Sequence, residues 1–406
     1  MDEFERYASL LTTVAITGTN GKTTTTSMVA AIVEASGEPA ARVTTVGSWV
    51  GEELIEEEGT VEGFARTLRM AVAAGVRTLA VETTSRALAE GFAHHWQAQV
   101  AVFTNLSRDH LDYHETPEKY LAAKAQLFMT LPPDGAAIFN ACDEASALLR
   151  EVTPPSARCT AFGCGDCRSR DTTIPLGLWA DRVVVSRRGT ELTLAPGALA
   201  DRLDGCLRLS VIGSVHAENA MAAALAAEAA GYSPDAIKRG LEGFPGVAGR
   251  FQIVARAPLV VVDYAHTPDA LQRTLQVARS LIDDAPGRVI CVFGCGGDRD
   301  AGKRGLMGRS AADLSDCVII TTDNPRSEDP AKIADAIAQG ARQGRASVEL
   351  VEDRRTAIAH ALGIARPDDV VVIAGRGGER VQEIGGDRIG FSDAEVAAGI
   401  CSCASR

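Results

Sequence analysis

The chain has 406 residues, of which 46% are hydrophobic and 23% charged, and its formal net charge is −12. This length and balance are those of a globular protein with two or three domains, whose core needs no disulfide scaffold. The acidic charge argues against a general nucleic-acid binder, and no segment is apolar for long enough to span a membrane. The N-terminus also lacks the basic-then-apolar order of a signal peptide. We therefore expect a cytoplasmic protein with no nucleic-acid or membrane partner and with reduced cysteines.

In the first 240 residues, short apolar runs alternate with helical patterns. The runs predict strands at 13–17, 78–82, 100–104 and 136–140. The helical patterns lie at 22–35, 117–128 and 217–230. Continuous apolar strands separated by helices indicate a mostly parallel sheet that is covered on both faces.

A cluster of Gly and Pro at 243–249 then predicts a linker. Beyond it the alternation restarts, with strands predicted at 259–262, 289–293, 317–321 and 370–374. We therefore predict an α/β protein in two parts. Residues 1–247 form a central domain with a mostly parallel sheet, and residues 248–406 form a C-terminal Rossmann-like α/β domain.

The segment Gly18-Thr19-Asn20-Gly21-Lys22-Thr23-Thr24 follows the first predicted strand and opens the first predicted helix. Its glycines would let backbone amides approach phosphate oxygens, and the helix N-terminus favours anions. Lys22 would reach the outer phosphates of ATP, and the Thr23 hydroxyl would bind Mg²⁺. The first glycine lies closer to the lysine than in the common eight-residue pattern. The setting between strand and helix still predicts a P-loop, and therefore an ATP-binding domain.

Two further polar segments follow predicted strands. Glu82 ends one strand, and the carboxyl edge of a parallel sheet is where α/β proteins bind ligands. A helix-capping role for Glu82 is about as well supported. The run from Asn105 to His114 brings acids, histidines and an arginine to the same edge. Such a density of polar groups favours a metal and phosphate site over isolated structural residues.

These segments together resemble the Mur ligase family. The resemblance continues in Tyr120-x-x-Ala123-Lys124 and, in the second half, in Asp263-Tyr264-Ala265-His266-Thr267-Pro268-Asp269, Gly294-Cys295-Gly296-Gly297-Asp298-Arg299-Asp300, Asp323-Asn324-Pro325-Arg326 and Ala374-Gly375-Arg376-Gly377-Gly378-Glu379. It covers nearly the whole chain in the right order. Within the family it is greatest to members that add the third residue, usually meso-diaminopimelate, to a UDP-N-acetylmuramoyl dipeptide.

The resemblance implies how ATP and metal would be bound. Lys22 and Thr23 would hold the phosphates and the first of two Mg²⁺ ions, with Glu82 and His110 as further metal ligands. Lys124 matches a lysine that the family carbamylates with CO₂, and the carbamate would help to hold the second Mg²⁺. From the residues alone, Lys124 would be read as an exposed helical lysine. The catalytic residues are thus expected to be Lys22, Lys124 and His110.

The resemblance also implies further contacts to the nucleotide. Asn219 would contact adenine. Arg250, Asp263 and His266 would approach the nucleotide from the C-terminal domain.

The resemblance implies an ATP-dependent, ADP-forming ligase that activates a carboxylate as an acyl phosphate and couples it to an amino acid. The amino-acid contacts fall on Arg299, Asp323, Asn324, Arg326, Gly375 and Glu379. An arginine such as Arg326 can grip a carboxylate with its planar fork, and Glu379 can receive an ammonium. These residues therefore predict a diaminopimelate-like substrate. The simpler alternative is that they are only surface charges near a loop.

Departures from the family pattern concern the acyl substrate. About a dozen residues precede the first predicted strand, so we expect the chain to lack the family's N-terminal UDP-binding domain. The stretch 56–62 is acidic where the family has a Thr-Thr-Pro segment that contacts the muramoyl group. Arg86 and Gly378 each replace a histidine. An acidic stretch is a poor partner for a diphosphate-linked sugar, so we expect another carboxylate: a small acid, a peptide or an acyl group on a carrier.

Three alternatives remain open. The chain could use the usual muramoyl substrate, with a separate protein supplying the missing domain. It could be a non-catalytic nucleotide-binding subunit, although Lys22, Glu82, His110 and Lys124 are all retained. A simple ATPase or kinase would leave the residues expected to bind the amine unexplained.

Overall fold

The computed structural model describes residues 6–7, 9–56, 60–107, 111–165, 173–282 and 286–404, without the side chains of residues 111, 112, 403 and 404. The chain divides into two compact units. The first comprises Met1–Val184 with Gly189–Pro245, and the second comprises Val185–Arg188 with Gly246–Arg406.

Among its described residues, the first unit is built on one 11-stranded sheet. Its strands are β1 Thr12–Thr17, β2 Ala41–Thr44, β3 Gly47–Val50, β4 Glu53–Glu56, β5 Thr78–Glu82, β6 Val100–Phe103, β7 Ala136–Asn140, β8 Arg158–Cys164, β9 Leu176–Ser186, β10 Gly189–Leu194 and β11 Cys206–Leu209. Its helices are α1 Lys22–Ala35, α2 Val61–Ala73, α3 Ser85–Ala89, α4 Phe92–His95, α5 Leu111–His114, α6 Pro117–Met129, α7 Ala145–Val152, α8 Ala198–Arg202, α9 Val215–Ala229 and α10 Pro234–Glu242.

The centre of this sheet is parallel. The strand order is β11-β10-β9-β8-β7-β6-β1-β5-β2-β3-β4. Neighbouring strands from β9 to β2 in this order pair in parallel. Antiparallel pairs occur at its two ends, between β10 and β11 and among β2, β3 and β4. The mostly parallel sheet predicted from the apolar runs is thus confirmed.

Local sequence explains the helices that matter for the site. Helix α1 starts directly after the glycine-rich loop, with Gly21 at its N-cap. Helix α6 is capped by the Thr116 hydroxyl, with Pro117 in its first turn, where a missing N–H is tolerated. Helix α9 is alanine-rich and buried on nearly all sides. Apolar residues around the whole circumference are typical of a helix enclosed in a core.

The second unit contains a six-stranded sheet and a separate hairpin among its described residues. Its strands are β12 Gln252–Arg256, β13 Leu259–Asp263, β14 Val289–Phe293, β15 Cys317–Ile320, β16 Ser347–Leu350, β17 Val370–Ala374, β18 Val381–Ile384 and β19 Asp387–Gly390. Its helices are α11 Pro268–Ser280, α12 Lys303–Leu314, α13 Pro330–Ala341, α14 Arg354–Ile364 and α15 Asp393–Ala404. The order of the larger sheet is β12-β13-β17-β14-β15-β16.

This second sheet has the predicted Rossmann-like character. Strands β13, β17, β14, β15 and β16 pair in parallel, and only β12 is antiparallel to its neighbour. Strands β13, β14 and β17 are rich in β-branched residues and are almost wholly buried. Burial on both faces accounts for the continuous apolar runs that the sequence shows.

Two expectations, about membrane-spanning segments and about the state of the cysteines, can be compared with the described residues. No helix within them is long and apolar enough to cross a membrane. Cys142 is disulfide-bonded, so the expectation of reduced thiols is wrong for that residue. Free thiols are found at Cys159, Cys164, Cys206, Cys291, Cys295, Cys317 and Cys401.

Candidate functional site

Four parallel strands of the first unit end at the same edge of the sheet. Strand β1 pairs with β5 and β6, and β6 pairs with β7, all in parallel. Their carboxyl ends therefore bring together the P-loop, Glu82, Thr104 and Asn140. This is the edge at which α/β sheets bind ligands.

The P-loop, residues 18–24, is tied to the end of β6. The backbone N–H of Asn20 donates to Asn105 Oδ1 at 2.9 Å, and Thr104 Oγ1 donates to the Asn20 carbonyl at 2.6 Å. Gly21 has φ of 85°, and a Cβ there would lie 2.4 Å from Asn219 Oδ1, so only glycine fits. The first backbone amides of α1 lack partners within the helix and can face an anion.

The Lys22 amine donates to the carbonyl of Thr19 at 2.7 Å. It therefore lies against the loop that it is predicted to complete. A carbonyl oxygen carries only a partial charge, so a phosphate can compete for this amine.

The two predicted magnesium ligands Thr23 and Glu82 are adjacent. Thr23 Oγ1 donates to Glu82 Oε2 at 2.8 Å, and both side chains are buried. Adjacent oxygen ligands of octahedral Mg²⁺ lie about 3 Å apart, because each is about 2.1 Å from the metal. The spacing of these two oxygens thus fits one shared ion. The backbone N–H of Thr45, which the sequence had not singled out, also donates to Glu82 Oε2, at 3.1 Å.

His110, the other predicted metal ligand of this edge, lies outside the described residues. Within the described ranges there is no group of three or more His, Cys, Asp and Glu side chains that could hold a metal ion. Mg²⁺ does not need such a group, because it is usually held by one or two carboxylates and keeps several waters.

Lys124 is buried, with 1% of its surface exposed. Its Nζ donates to the Gly18 carbonyl at 2.8 Å and lies 4.2 Å from the centre of the Tyr120 ring. The Tyr120 hydroxyl is in turn 3.2 Å from Thr19 Oγ1. The interpretation as an exposed helical lysine is therefore wrong, and the amine lies at the P-loop backbone.

Helix α9 brings Asn219 to the start of α1. Besides facing Gly21, Asn219 Oδ1 accepts from Thr25 Oγ1 at 3.4 Å. One turn earlier, His216 is fully enclosed, and burial lowers its pKa to about 4. Its Nδ1 has no hydrogen-bond partner within the part of the chain that the structure describes. This neutral histidine was not predicted, because a single His in an alanine-rich helix has no distinctive spacing.

In the second unit, Arg250, Asp263 and His266 lie near Tyr264. The Arg250 guanidinium is 4.4 Å from the centre of the Tyr264 ring, and His266 Nδ1 is 2.9 Å from the Tyr264 carbonyl. The Asp263 carboxylate accepts from the backbone of Phe251 and Ala265 and from Thr274 Oγ1. Asp263 thus orders the loop that follows β13. Burial lowers the pKa of His266, which favours its neutral form.

The predicted amino-acid contacts meet at the carboxyl edge of the second sheet. Asn324 Nδ2 donates to Glu379 Oε2 at 2.8 Å, and Asn324 Oδ1 accepts from the Glu383 backbone at 2.9 Å. Gly375 has φ of 110°, and a Cβ there would lie 2.5 Å from Asp323 Oδ2. The tight approach of backbone to carboxylate therefore requires glycine at this position.

The two arginines of this group differ in exposure and contacts. Arg326 donates through Nε to Glu383 Oε2 at 3.2 Å and through Nη1 to the Gly297 carbonyl at 2.7 Å. Arg299 is exposed, and its positive charge acts on the Tyr264 phenol. Arg299 is thus the more accessible of the two cations.

The electrostatics of this edge favour a cation. Near Glu379, the buried guanidiniums of Arg354 and Arg376 face the carboxylates of Asp323, Asp393 and Glu379. The charge of Arg326 also acts on Glu379. Burial raises the pKa of Glu379, and the charge of Asp323 raises it further. An ammonium group would relieve both effects.

Comparisons with known proteins agree with this geometry. The model of the Mur ligase middle domain matches residues 16–227, and that of the Mur ligase glutamate ligase domain matches residues 249–377. The UDP-N-acetylmuramoyl-L-alanyl-D-glutamate–2,6-diaminopimelate ligase of Thermosynechococcus vestitus is 40% identical over 407 residues, which cover 97% of this chain and 78% of that protein. The enzyme of the same name from Bacillus licheniformis is 37% identical over 395 residues, covering 95% and 77%.

Solved structures show the same similarity. The structure of a ligase with that name has a TM-score of 0.71 and 32% identity, covering 98% of this chain and 79% of the other. Folylpolyglutamate synthase of Mycobacterium tuberculosis, with a TM-score of 0.68 and 21% identity, covers 92% of both chains and shows the shared fold alone. The matched domains span both units, and the chain therefore belongs to the Mur ligase family of ATP-dependent ligases.

Proposed function

We propose that this chain is an ADP-forming ligase that joins a carboxylate to the amino group of an amino acid. Residues 1–247 would bind ATP and residues 248–406 the amino acid. The observation that carries the proposal is the grouping of Lys22, Thr23, Glu82 and Lys124 around one P-loop in a chain of this family. We expect it to act in the cytoplasm, where ATP is available.

The reaction has two bond exchanges. A carboxylate oxygen attacks the γ-phosphorus of ATP, the bond to the β,γ-bridging oxygen breaks, and ADP leaves. The amine then attacks the acyl carbon, phosphate leaves with the carbon–oxygen electron pair, and the nitrogen loses a proton. The protein's main task is to neutralise charge on the phosphoryl oxygens and to align the attack. The Lys22 amine and the α1 N-terminus supply positive potential for the first exchange.

The residues at this edge fit two Mg²⁺ ions. Thr23 and Glu82 would hold one, with His110 as a further ligand. Lys124 would enter as a carbamate, formed when its neutral amine attacks CO₂ and loses a proton. Bound Mg²⁺ would withdraw charge from the phosphoryl oxygens. The contact between Lys124 Nζ and the Gly18 carbonyl supports this role, because it places the amine at the P-loop.

The nucleotide contacts divide between base and phosphates. Gly18, Thr19, Asn20, Gly21 and Thr24 would present backbone groups to the phosphates, and Asn219 would contact adenine. Arg250, Asp263 and His266 would serve the nucleotide from the second unit. For Asp263, the three hydrogen bonds within its own unit support an ordering role.

The amino acid is proposed to be diaminopimelate-like, with a zwitterionic end and a second charged end. Glu379 and Asp323 would receive an ammonium, because its charge would offset the burial and the like charge that raise the pKa of Glu379. Arg299 and Arg326 would receive a carboxylate, and Asn324 would orient the group between them. Gly375 leaves room for the backbone to approach the ligand.

The acyl substrate is proposed to differ from a UDP-muramoyl dipeptide. Thr60, which lies in the stretch 56–62, uses its hydroxyl to cap α2 by accepting from the Gly63 backbone N–H at 2.9 Å. Glu56 lies against the same turn and pairs with Arg66 at 3.6 Å. A committed hydroxyl and an acidic neighbour are poor contacts for a diphosphate-linked sugar.

The names of the relatives favour a second candidate. Proteins 37–40% identical to this chain are UDP-N-acetylmuramoyl-L-alanyl-D-glutamate–2,6-diaminopimelate ligases. On that candidate, the chain adds diaminopimelate to the same muramoyl dipeptide.

One experiment separates the two candidates. ADP and phosphate release are measured with Mg²⁺ and bicarbonate against a grid of amino acids and carboxylates that includes diaminopimelate and the UDP-muramoyl dipeptide. The preferred proposal predicts turnover that needs both substrates and is negligible with the muramoyl dipeptide. Robust turnover with that dipeptide would establish the second candidate. ADP release that ignores every amine would contradict both.

A further inference from the structure

A buried arginine that is not among the predicted amino-acid contacts lies directly behind Glu379. The side chain of Arg376 is fully buried. Its Nε is 3.7 Å from Glu379 Oε2, and its Nη1 is 3.8 Å from Asp393 Oδ1. The guanidinium thus stands between a carboxylate of the proposed amine site and a carboxylate at the start of helix α15.

The hydrogen bonds of Arg376 are incomplete. Its Nη2 donates to the Val381 carbonyl at 2.7 Å and to the Phe391 carbonyl at 3.3 Å. Its Nε and Nη1 are buried and have no hydrogen-bond partner among the described residues. Unpaired buried donors are destabilising and call for a physical explanation. The two that lack partners are the two that face the carboxylates.

Asp393 is rigidly held from its other side. Arg354 donates to it through Nε and Nη2, both at 2.7 Å, and Arg354 Nη2 also donates to the Ala374 carbonyl at 2.9 Å. Arg354 and Asp393 are both fully buried. The forked pair fixes the first residue of α15 against the end of β17, where Gly375 and Arg376 begin.

Glu379 is therefore held at both sides. Asn324 donates to its Oε2, Arg376 faces the same oxygen, and the Glu379 backbone N–H donates to the Arg376 carbonyl at 3.1 Å. Asn324 fixes a direction but carries no charge. Arg376 is the cation whose charge acts most directly on that carboxylate from behind.

We propose that Arg376 is a positioning residue for the amino-acid substrate, and that it keeps Glu379 ionised and aimed at the incoming ammonium. Asp393, which Arg354 holds, faces Arg376 from the other side, so the start of helix α15 contributes to the affinity for the amine. This inference rests on the proposed function, because it assigns Glu379 to the substrate ammonium.

The charge of Arg376 also predicts a pH effect. Burial and the charge of Asp323 raise the pKa of Glu379, whereas the Asn324 hydrogen bond and the charges of Arg376 and Arg326 lower it. Removing that charge would raise this pKa further. The acid limb of kcat/KM for the amine, which requires ionised Glu379, should then move to higher pH.

The test compares Arg376→Gln, Arg376→Lys and Asp393→Asn with Asp369→Asn. The buried Asp369 pairs with the partly exposed Arg288 in the same unit, at 2.7 Å, but at the amino-terminal ends of β14 and β17. It therefore controls for changing a buried, ion-paired carboxylate far from the amine edge. Each variant is assayed as the full chain with ATP, bicarbonate and the amino acid and carboxylate that give the highest wild-type turnover.

We expect Arg376→Gln and Asp393→Asn to raise KM for the amine about tenfold or more, with KM for ATP nearly unchanged. Arg376→Gln should move the acid limb upward, and Arg376→Lys should return it toward the wild-type position. Asp369→Asn should lower stability without changing KM for the amine. If Arg376→Gln does not fold, KM for the amine and KM for ATP are compared in Arg376→Lys and Asp393→Glu instead.

The inference would be overturned if Arg376→Gln changed KM for the amine and KM for ATP equally. It would also be overturned if Asp369→Asn raised KM for the amine as much as Arg376→Gln does. Either result would show that Arg376 serves folding alone. A wild-type chain without amine-dependent ADP release would instead refute the proposed function. The two failures are therefore distinguishable.

Discussion

The candidate sites of the two units hold their cations in different ways. In the first unit, the Lys22 and Lys124 amines donate to backbone carbonyls of the P-loop. In the second, the guanidiniums of Arg326 and Arg376 face carboxylates. A carbonyl oxygen carries a partial charge and a carboxylate a full one, so the two kinds of contact neutralise a cation to different degrees. The amines of the first edge suit a polyanion, and the carboxylates of the second edge suit an ammonium.

The largest effect is expected at the first edge. Replacing Lys22 by Met removes the positive charge that would meet the phosphoryl oxygens, so turnover at saturating ATP should fall about a thousandfold. ADP release measures it. Lys119→Met is the matched control, because this exposed lysine pairs with Glu115 at the surface. If the Lys22→Met enzyme were as active as this control, the proposed role of Lys22 at the phosphoryl oxygens would be contradicted.

A second prediction concerns His216 and the stability of the first unit. Its pKa is about 4 in the folded chain, below the usual 6.5. Between these values the unfolded chain binds the extra proton, so the free energy of unfolding falls as pH drops from 6.5 toward 4. From pH 7 to pH 4 the loss should be about 3 kcal/mol.

This loss should be missing in His216→Asn, which cannot titrate. All three tryptophans, Trp49, Trp96 and Trp179, lie in the first unit, so tryptophan fluorescence during urea unfolding follows that unit. The difference between the wild-type and variant free energies of unfolding, plotted against pH, gives the contribution of His216. A difference that does not change with pH would contradict its neutral burial.

A third prediction tests the role of Lys124. Lys124→Arg keeps a positive charge but cannot form the carbamate, so turnover should fall about 100-fold, which corresponds to about 2.7 kcal/mol. Labelling the wild type with ¹³C-bicarbonate should give a carbamate signal in the carbon NMR spectrum that Lys124→Arg lacks. A fully active Lys124→Arg enzyme, or a signal that persists in it, would refute the carbamate.

The smallest effect is expected from Gly375→Ala in the second unit. The new methyl group would meet Asp323 Oδ2, and the positive φ strains any residue with a side chain. KM for the amine should rise about tenfold. Gly386→Ala is the matched control. Its φ of 93° is also positive, but no described atom lies within 4 Å of the added Cβ. Equal KM values in the two variants would show that the contact with Asp323 is irrelevant to binding.

The local signals of the sequence were enough for the fold and for part of the site. Apolar runs located the parallel strands, and the strand–glycine–helix order located the P-loop. Because parallel strands share a carboxyl edge, Glu82 was expected near Thr23, and the two oxygens are 2.8 Å apart.

What the sequence could not provide depends on distant contacts. The burial of Lys124 arises because α6 packs its amine against Gly18, 106 residues away. The strands β2, β3 and β4 were not predicted, since each has only four residues and shows no continuous apolar run. Arg376 gave no signal of its own, because the carboxylates it faces come together only through β17 and α15.

The central claim, activation of a carboxylate as an acyl phosphate, can be tested with ¹⁸O. The acyl substrate is labelled in its carboxylate, and the phosphate released during amide formation is analysed by mass spectrometry. The proposed mechanism predicts that one carboxylate oxygen is transferred to each phosphate and that ADP is the nucleotide product. Unlabelled phosphate, or label found in AMP, would contradict it.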